Sequence, residues 1–258
     1  MNWATITLVS LLSITTANAL PFPSAAPSSL YTSIISNLLQ NTQLTGCPIT
    51  STTTLSPSTL SAPSKGLSAK AITLGRGTQN YTCASSSDSE APEATGATAT
   101  LFDASCVAAL DAQYGAGAST GTQSILHLLP DVLMPVPLST TDLSAIILQR
   151  LSKQDLVVGK HYFTADGTPF FDLRGVGREN SDSGSDWIAA KKDDQMDAPS
   201  KPGFGITGDV PWLKLTAVEG GYREVYRVHT AGGSAPATCE GMPAEFTVDY
   251  TAEYWFYG

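Results

Sequence analysis

The chain has 258 residues, with 14 Lys+Arg against 23 Asp+Glu, a formal net charge of −9 and 42% hydrophobic content. That balance excludes an acidic disordered chain and a helical membrane bundle. With no basic stripe to displace counterions from phosphate, nucleic acid is excluded as a partner.

In chain order, residues 1–19 read as a secretory signal. The apolar stretch from Ile6 to Ile14 is too short to cross a bilayer, and Ala17-Asn18-Ala19 supplies a small-x-small cleavage pattern. Residues 20–64 form an uncharged leader, dense in Ser, Thr and Pro after Cys47, with Lys65 the first charged side chain. Such a composition builds little core and suits O-glycosylation in an exported chain. Residues 65–258 are expected to form a single β-rich domain. No later run is apolar enough to serve as a membrane anchor.

Strand signals begin at Ala69. Ala71–Leu74 and Gln79–Cys83 flank Gly75-Arg76-Gly77 and read as a hairpin. Residues 97–103 (ATATLFD) read as a strand. Helix is expected near Cys106 and over 142–151. Asp166-Gly167 sits between His161–Thr164 and Pro169–Leu173, the strongest hairpin signal in the chain. Gly220-Gly221 marks a second hairpin. From Phe246 to Phe256 apolar and polar residues alternate, with Phe246, Val248, Tyr250, Ala252, Tyr254 and Phe256 on one face. The expected class is mainly β: an antiparallel sandwich or barrel-like domain with a few short helices.

Export places Cys47, Cys83, Cys106 and Cys239 in an oxidising milieu, where they pair by one of three connectivities that sequence does not choose between. Asn80-Tyr81-Thr82 is an N-glycosylation sequon. No Cys or His pair has local ligand spacing, so no metal site is expected. Gly117–Gly121 matches G-x-S-x-G but lacks the preceding strand that a nucleophile elbow needs. Asp182-Ser183-Gly184 is one acid triplet where an aspartic protease needs two. Gly75-Arg76-Gly77 and Gly175-Val176-Gly177 open like dinucleotide fingerprints without the surrounding strand–helix–strand unit, so they read as turns and no cofactor is expected. His127 lies in an apolar run and reads as packing. His161 and His229, with Arg227 and Asp172, are the candidate catalytic set for a polar pocket that takes a small acid or a sugar. Arg223, Arg227 and His229 are expected on one strand face. Trp187, Trp212, Tyr222 and Tyr226 are the candidate sugar-stacking platform.

Residues 72–83 (ITLGRGTQNYTC) and 96–103 (GATATLFD) resemble a group of secreted fungal proteins classed as a domain of unknown function. Further matching pieces are Gly159–Phe163, Pro211–Leu213, Val228–Gly233 and Tyr250–Tyr257. The resemblance runs from about Ala69 to the end, and implies a secreted β-rich domain with no assigned catalytic residues to carry over. Members of the group often bear the label malate dehydrogenase, which these residues do not support. The expectation is therefore a secreted, non-enzymatic protein acting at a cell wall or host surface through a glycan or an extracellular protein. The alternative is an extracellular enzyme built on the His and carboxylate set.

Overall fold

A computed structural model describes residues 49, 55, 59–114, 124–141, 156–174, 184–199 and 208–258. Eight strands close into one antiparallel barrel, each hydrogen-bonded to its neighbours in chain order and the last to the first. They are β1 (Ala69–Thr82), β2 (Glu93–Asp103), β3 (Val157–Phe163), β4 (Pro169–Asp172), β5 (Trp187–Met196), β6 (Trp212–Gly220), β7 (Glu224–Gly232) and β8 (Glu245–Tyr257). Between β2 and β3 run helices α1 (Ser105–Tyr114) and α2 (Ile125–Leu133), and a third begins at Leu138. Of the two expected architectures the barrel is the one formed. Closure removes the exposed edges that an open sheet must protect. The two anticipated glycine hairpins join β3 to β4 and β6 to β7, with Gly167 and Gly220 at positive φ. The helix expected over 142–151 lies outside the described residues, as do residues 117–121, 175–177, 182–183 and Cys47.

One expectation is corrected. Gly75-Arg76-Gly77 makes no turn: β1 runs unbroken for 14 residues, paired to β2 on one side and β8 on the other. These glycines face inward, where a barrel of eight strands has just enough room to be filled by side chains. A Cβ on Gly75 would stand 2.5 Å from Cε2 of Tyr254, and one on Gly77 would run into the backbone of Thr98. Glycine is therefore needed in this strand for close approach rather than for turning.

The barrel separates two apolar layers. Inside lie Leu101, Phe171, Ile188, Leu215, Val225, Tyr250, Tyr254 and Phe256, with small Ala71, Ala97 and Ala99 opposite them. The outer layer, Ile72, Leu74, Trp212, Tyr226, Val228, Trp255 and Tyr257, is covered by Leu60, Ala104, Val107, Ala108 and Leu126. The alternation along β8 thus has aromatics on both faces, and its polar members Thr251 and Glu253 are fully buried beneath α2 rather than solvated.

Polar contacts fasten the cover. Arg76, 2% exposed, donates to the carbonyls of Met134 and Val136 and pairs with Asp249, which fixes the chain just after α2. Asp111 of α1 accepts from Ser124 Oγ and from the backbone N–H groups of Ile125 and Leu126, capping α2. The end of the leader also lies on the wall. Ser64 Oγ donates to Glu224, which pairs with Lys214 at 3.3 Å, and Tyr226 donates to the Ser61 carbonyl. A Cys83–Cys239 disulfide, with Cα atoms 5.8 Å apart, ties the end of β1 to the loop before β8. No described cysteine is free, and Cys106 is also disulfide-bonded. Among the described residues no helix is long and apolar enough to cross a membrane.

Candidate functional site

The anticipated catalytic set is not assembled in one place. His161, on β3, points into the barrel and is 5% exposed; its ring stacks on Phe171 at 4.0 Å, and its Nδ1 donates to the Phe170 carbonyl at 2.9 Å. Burial holds this imidazole down at about 4, an effect the Phe170 bond opposes and the Arg227 charge reinforces. Arg227 also points inward, donating to the Pro211 carbonyl at 2.9 Å and standing beside the Tyr254 hydroxyl. Tyr250 and Tyr254 share a hydrogen bond of 2.9 Å, and burial pushes both phenols up. Rings and aliphatic side chains fill this interior, so His161 and Arg227 are polar groups packed within an apolar core.

His229 lies on the other side of the wall. A bulge between Val228 and Ala231 shifts the register of β7 against β8, and His229 takes φ +47°. The alternation that would align Arg227 with His229 is broken there, and the His229 ring lies on His127 of α2. Arg223 precedes the strand and is exposed. Asp172 is engaged elsewhere, as Arg174 grips it with Nε and Nη2, each at 2.9 Å; this guanidinium holds the carboxyl below its usual range. Asp103 accepts from the Ser105 N–H at the start of α1.

The aromatic candidates divide by face. Trp212, Tyr222 and Tyr226 are 7%, 4% and 0% exposed and belong to the two cores. Trp187 instead lies at the surface, at one end of a row of rings that crosses three strands. Tyr162 of β3, 36% exposed, stacks with Phe170 of β4 at 5.2 Å and 27°; Phe170 stacks with Trp187 of β5 at 5.2 Å and 15°. Spacing wider than van der Waals contact between nearly parallel rings means that they are slid past one another, the preferred offset geometry.

The strands dictate this row. Tyr162 and Phe170 are direct partners across the β3–β4 hairpin, while Asp172 pairs with Trp187, which places Trp187 diagonal to Phe170. Inward-pointing His161 and Phe171 alternate with these outward rings, so one hairpin supplies both core and surface. Arg174 lies over Phe170 at 5.8 Å and Trp187 at 5.3 Å, its charge held by Asp172. Trp187 Nε1 donates to the Gly184 carbonyl at 3.1 Å, fixing the indole. The result is a partly exposed apolar strip with a fixed cation and carboxylate at its border. Asn80 of the sequon lies half-exposed near the end of β1.

Sequence reasoning singled out Trp187 but not Tyr162, Phe170 or Arg174. The hairpin turn at Asp166-Gly167, once extended strand by strand, was the signal that pairs the first two. No curated protein and no solved structure matches the chain. Residues 63–258, a stretch that includes all eight strands, match the family described as Protein of unknown function (DUF3455), and the chain belongs to that family.

Proposed function

We propose that this protein is exported and works without catalysis, docking on a cell-wall or host-surface glycan through Tyr162, Phe170, Trp187 and Arg174. The observation that carries the reading is the row of offset rings on the outer wall. Sugar rings present apolar C–H faces that stack on aromatic surfaces, while their hydroxyls need donors and acceptors at the border. Arg174 and Asp172 supply both. The signal-like first 19 residues and the Cys83–Cys239 bond favour work outside the cell.

The test is a pull-down of the purified chain on insoluble polysaccharides, followed by titration against soluble oligomers of the polymer that retains it. Removing a stacked ring from a binding face costs more than about 1 kcal/mol, or about fivefold in affinity. Trp187→Ala combined with Phe170→Ala should lose at least that much while the barrel still unfolds cooperatively. Retention by no polymer, or equal binding by the double variant, overturns the proposal.

A further inference from the structure

On the wall across the barrel from the aromatic row, the structure assembles a second group that sequence spacing gives no hint of. Among the described residues, His127, His229 and Glu253 each offer a ligating atom, and these atoms all lie within 4.8 Å of one another. They come from three elements: α2, the bulge of β7, and β8. His127 Nδ1 meets Glu253 Oε1 at 2.8 Å, and the two imidazoles stack at 3.7 Å with their planes 8° apart. The other carboxylate oxygen of Glu253 accepts from Trp255 Nε1 at 3.0 Å, and Trp212 flanks His229 at 4.6 Å.

We propose that His127, His229 and Glu253 form a binding site for a divalent transition-metal ion of the zinc type. Two imidazoles and one carboxylate are a donor set suited to zinc and its neighbours, and a poor one for calcium or magnesium, which take oxygen ligands. Ligands about 2.0–2.2 Å from a tetrahedral ion stand a little over 3 Å apart. The His127–Glu253 pair therefore needs to open by only a few tenths of an ångström to admit one. Imidazole lone pairs lie in the ring plane, so one ring must turn out of the stack to complete the set. His127, with 24% of its side chain exposed, borders solvent, where a fourth position stays open.

Three further observations support the site. Glu253 is fully buried, and a carboxylate withdrawn from water is stabilised by a cation placed beside it. Trp255 fixes one carboxylate oxygen and leaves the other toward the histidines, as outer partners do for metal ligands. His229 sits in the left-handed region, which is strained for a residue with a side chain, and such strain gathers at functional positions. The bulge that imposes it also turns the ring toward Glu253.

The test uses the full secreted chain, purified without a histidine tag, stripped with chelator and titrated with Zn2+ by calorimetry. One equivalent should bind at micromolar affinity or tighter, with Mg2+ and Ca2+ failing to compete. His127→Ala, His229→Ala and Glu253→Gln should each weaken zinc by more than about tenfold, the loss typical even of outer-partner changes, while His161→Gln leaves it unaltered. Because Glu253 is buried and its variant could misfold, Co2+ added to the unmutated protein gives a second readout: visible absorption bands of four-coordinate intensity. Absence of saturable zinc binding by the folded chain, binding unchanged in both histidine variants, or a six-coordinate cobalt spectrum overturns the assignment. Trp187→Ala should bind zinc normally, so either proposal can fail alone.

Discussion

His161 gives a stability effect that can be worked from its surroundings. Inside the barrel its imidazole stays neutral down to about pH 4, against 6.5 for an ordinary histidine. Between those values the unfolded chain takes up a proton that the folded chain refuses. Stability is therefore lost as pH falls below 6.5, and the loss levels off below about 4. At about 1.4 kcal/mol per unit, the gap from 6.5 to about 4 is worth about 3 kcal/mol, of which about 2 is lost between pH 7 and pH 5. The ring is fully enclosed, so solvent screening takes little from this figure. The assay is urea unfolding followed by tryptophan fluorescence at pH 7 and pH 5, on the native chain and on His161→Gln. Carboxylates such as Asp172 and Asp194 titrate alike in both and cancel in the comparison. The native protein should lose about 2 kcal/mol more than the variant over this interval. Equal losses would refute the reasoning, as would imidazole NMR signals of His161 titrating near 6.5 in the folded chain.

Two other expectations concern the barrel itself. Gly77→Ala places a methyl against the backbone of Thr98 and should cost at least about 3 kcal/mol, because a neighbouring strand must move. Gly241→Ala, with open space around it but φ +71°, should cost only about 1 kcal/mol; chemical denaturation compares the two, and equal costs would contradict an inward role for Gly77. Replacing Cys83 and Cys239 by Ser opens a link between residues 156 positions apart and should remove about 2–4 kcal/mol. Thermal unfolding at neutral pH measures it, and an unchanged midpoint would show that the loops are held by other contacts.

Much of the barrel can be read in the chain, and its failures have physical causes. Asp166-Gly167 and Gly220-Gly221 give two hairpins because turn chemistry is local. The alternation of β8 is equally local, but its polar side was not recognisable as buried, since α2 and its cap on Asp111 come from far upstream. Gly75 and Gly77 read as turn residues because a sequence does not reveal that Tyr254 will need the space. At the sites, Trp187 was legible as a large aromatic on a strand, whereas its partnership with Phe170 depends on the β4–β5 register. Arg227 and His229 were placed on one face by simple alternation, which the bulge at Val228–Ala231 cancels. His127 read as packing because Glu253, 126 positions away, becomes its neighbour only when the barrel closes.

The pairing of β1 with β8 also sets an order of events during synthesis. β1 finds its second partner only when residues 245–257 have emerged, so until then one side of it remains an open template for any extended chain nearby. Closure of this barrel thus waits for β8, and a chain cut short before residue 245 would hold a sticky crescent instead of a cylinder.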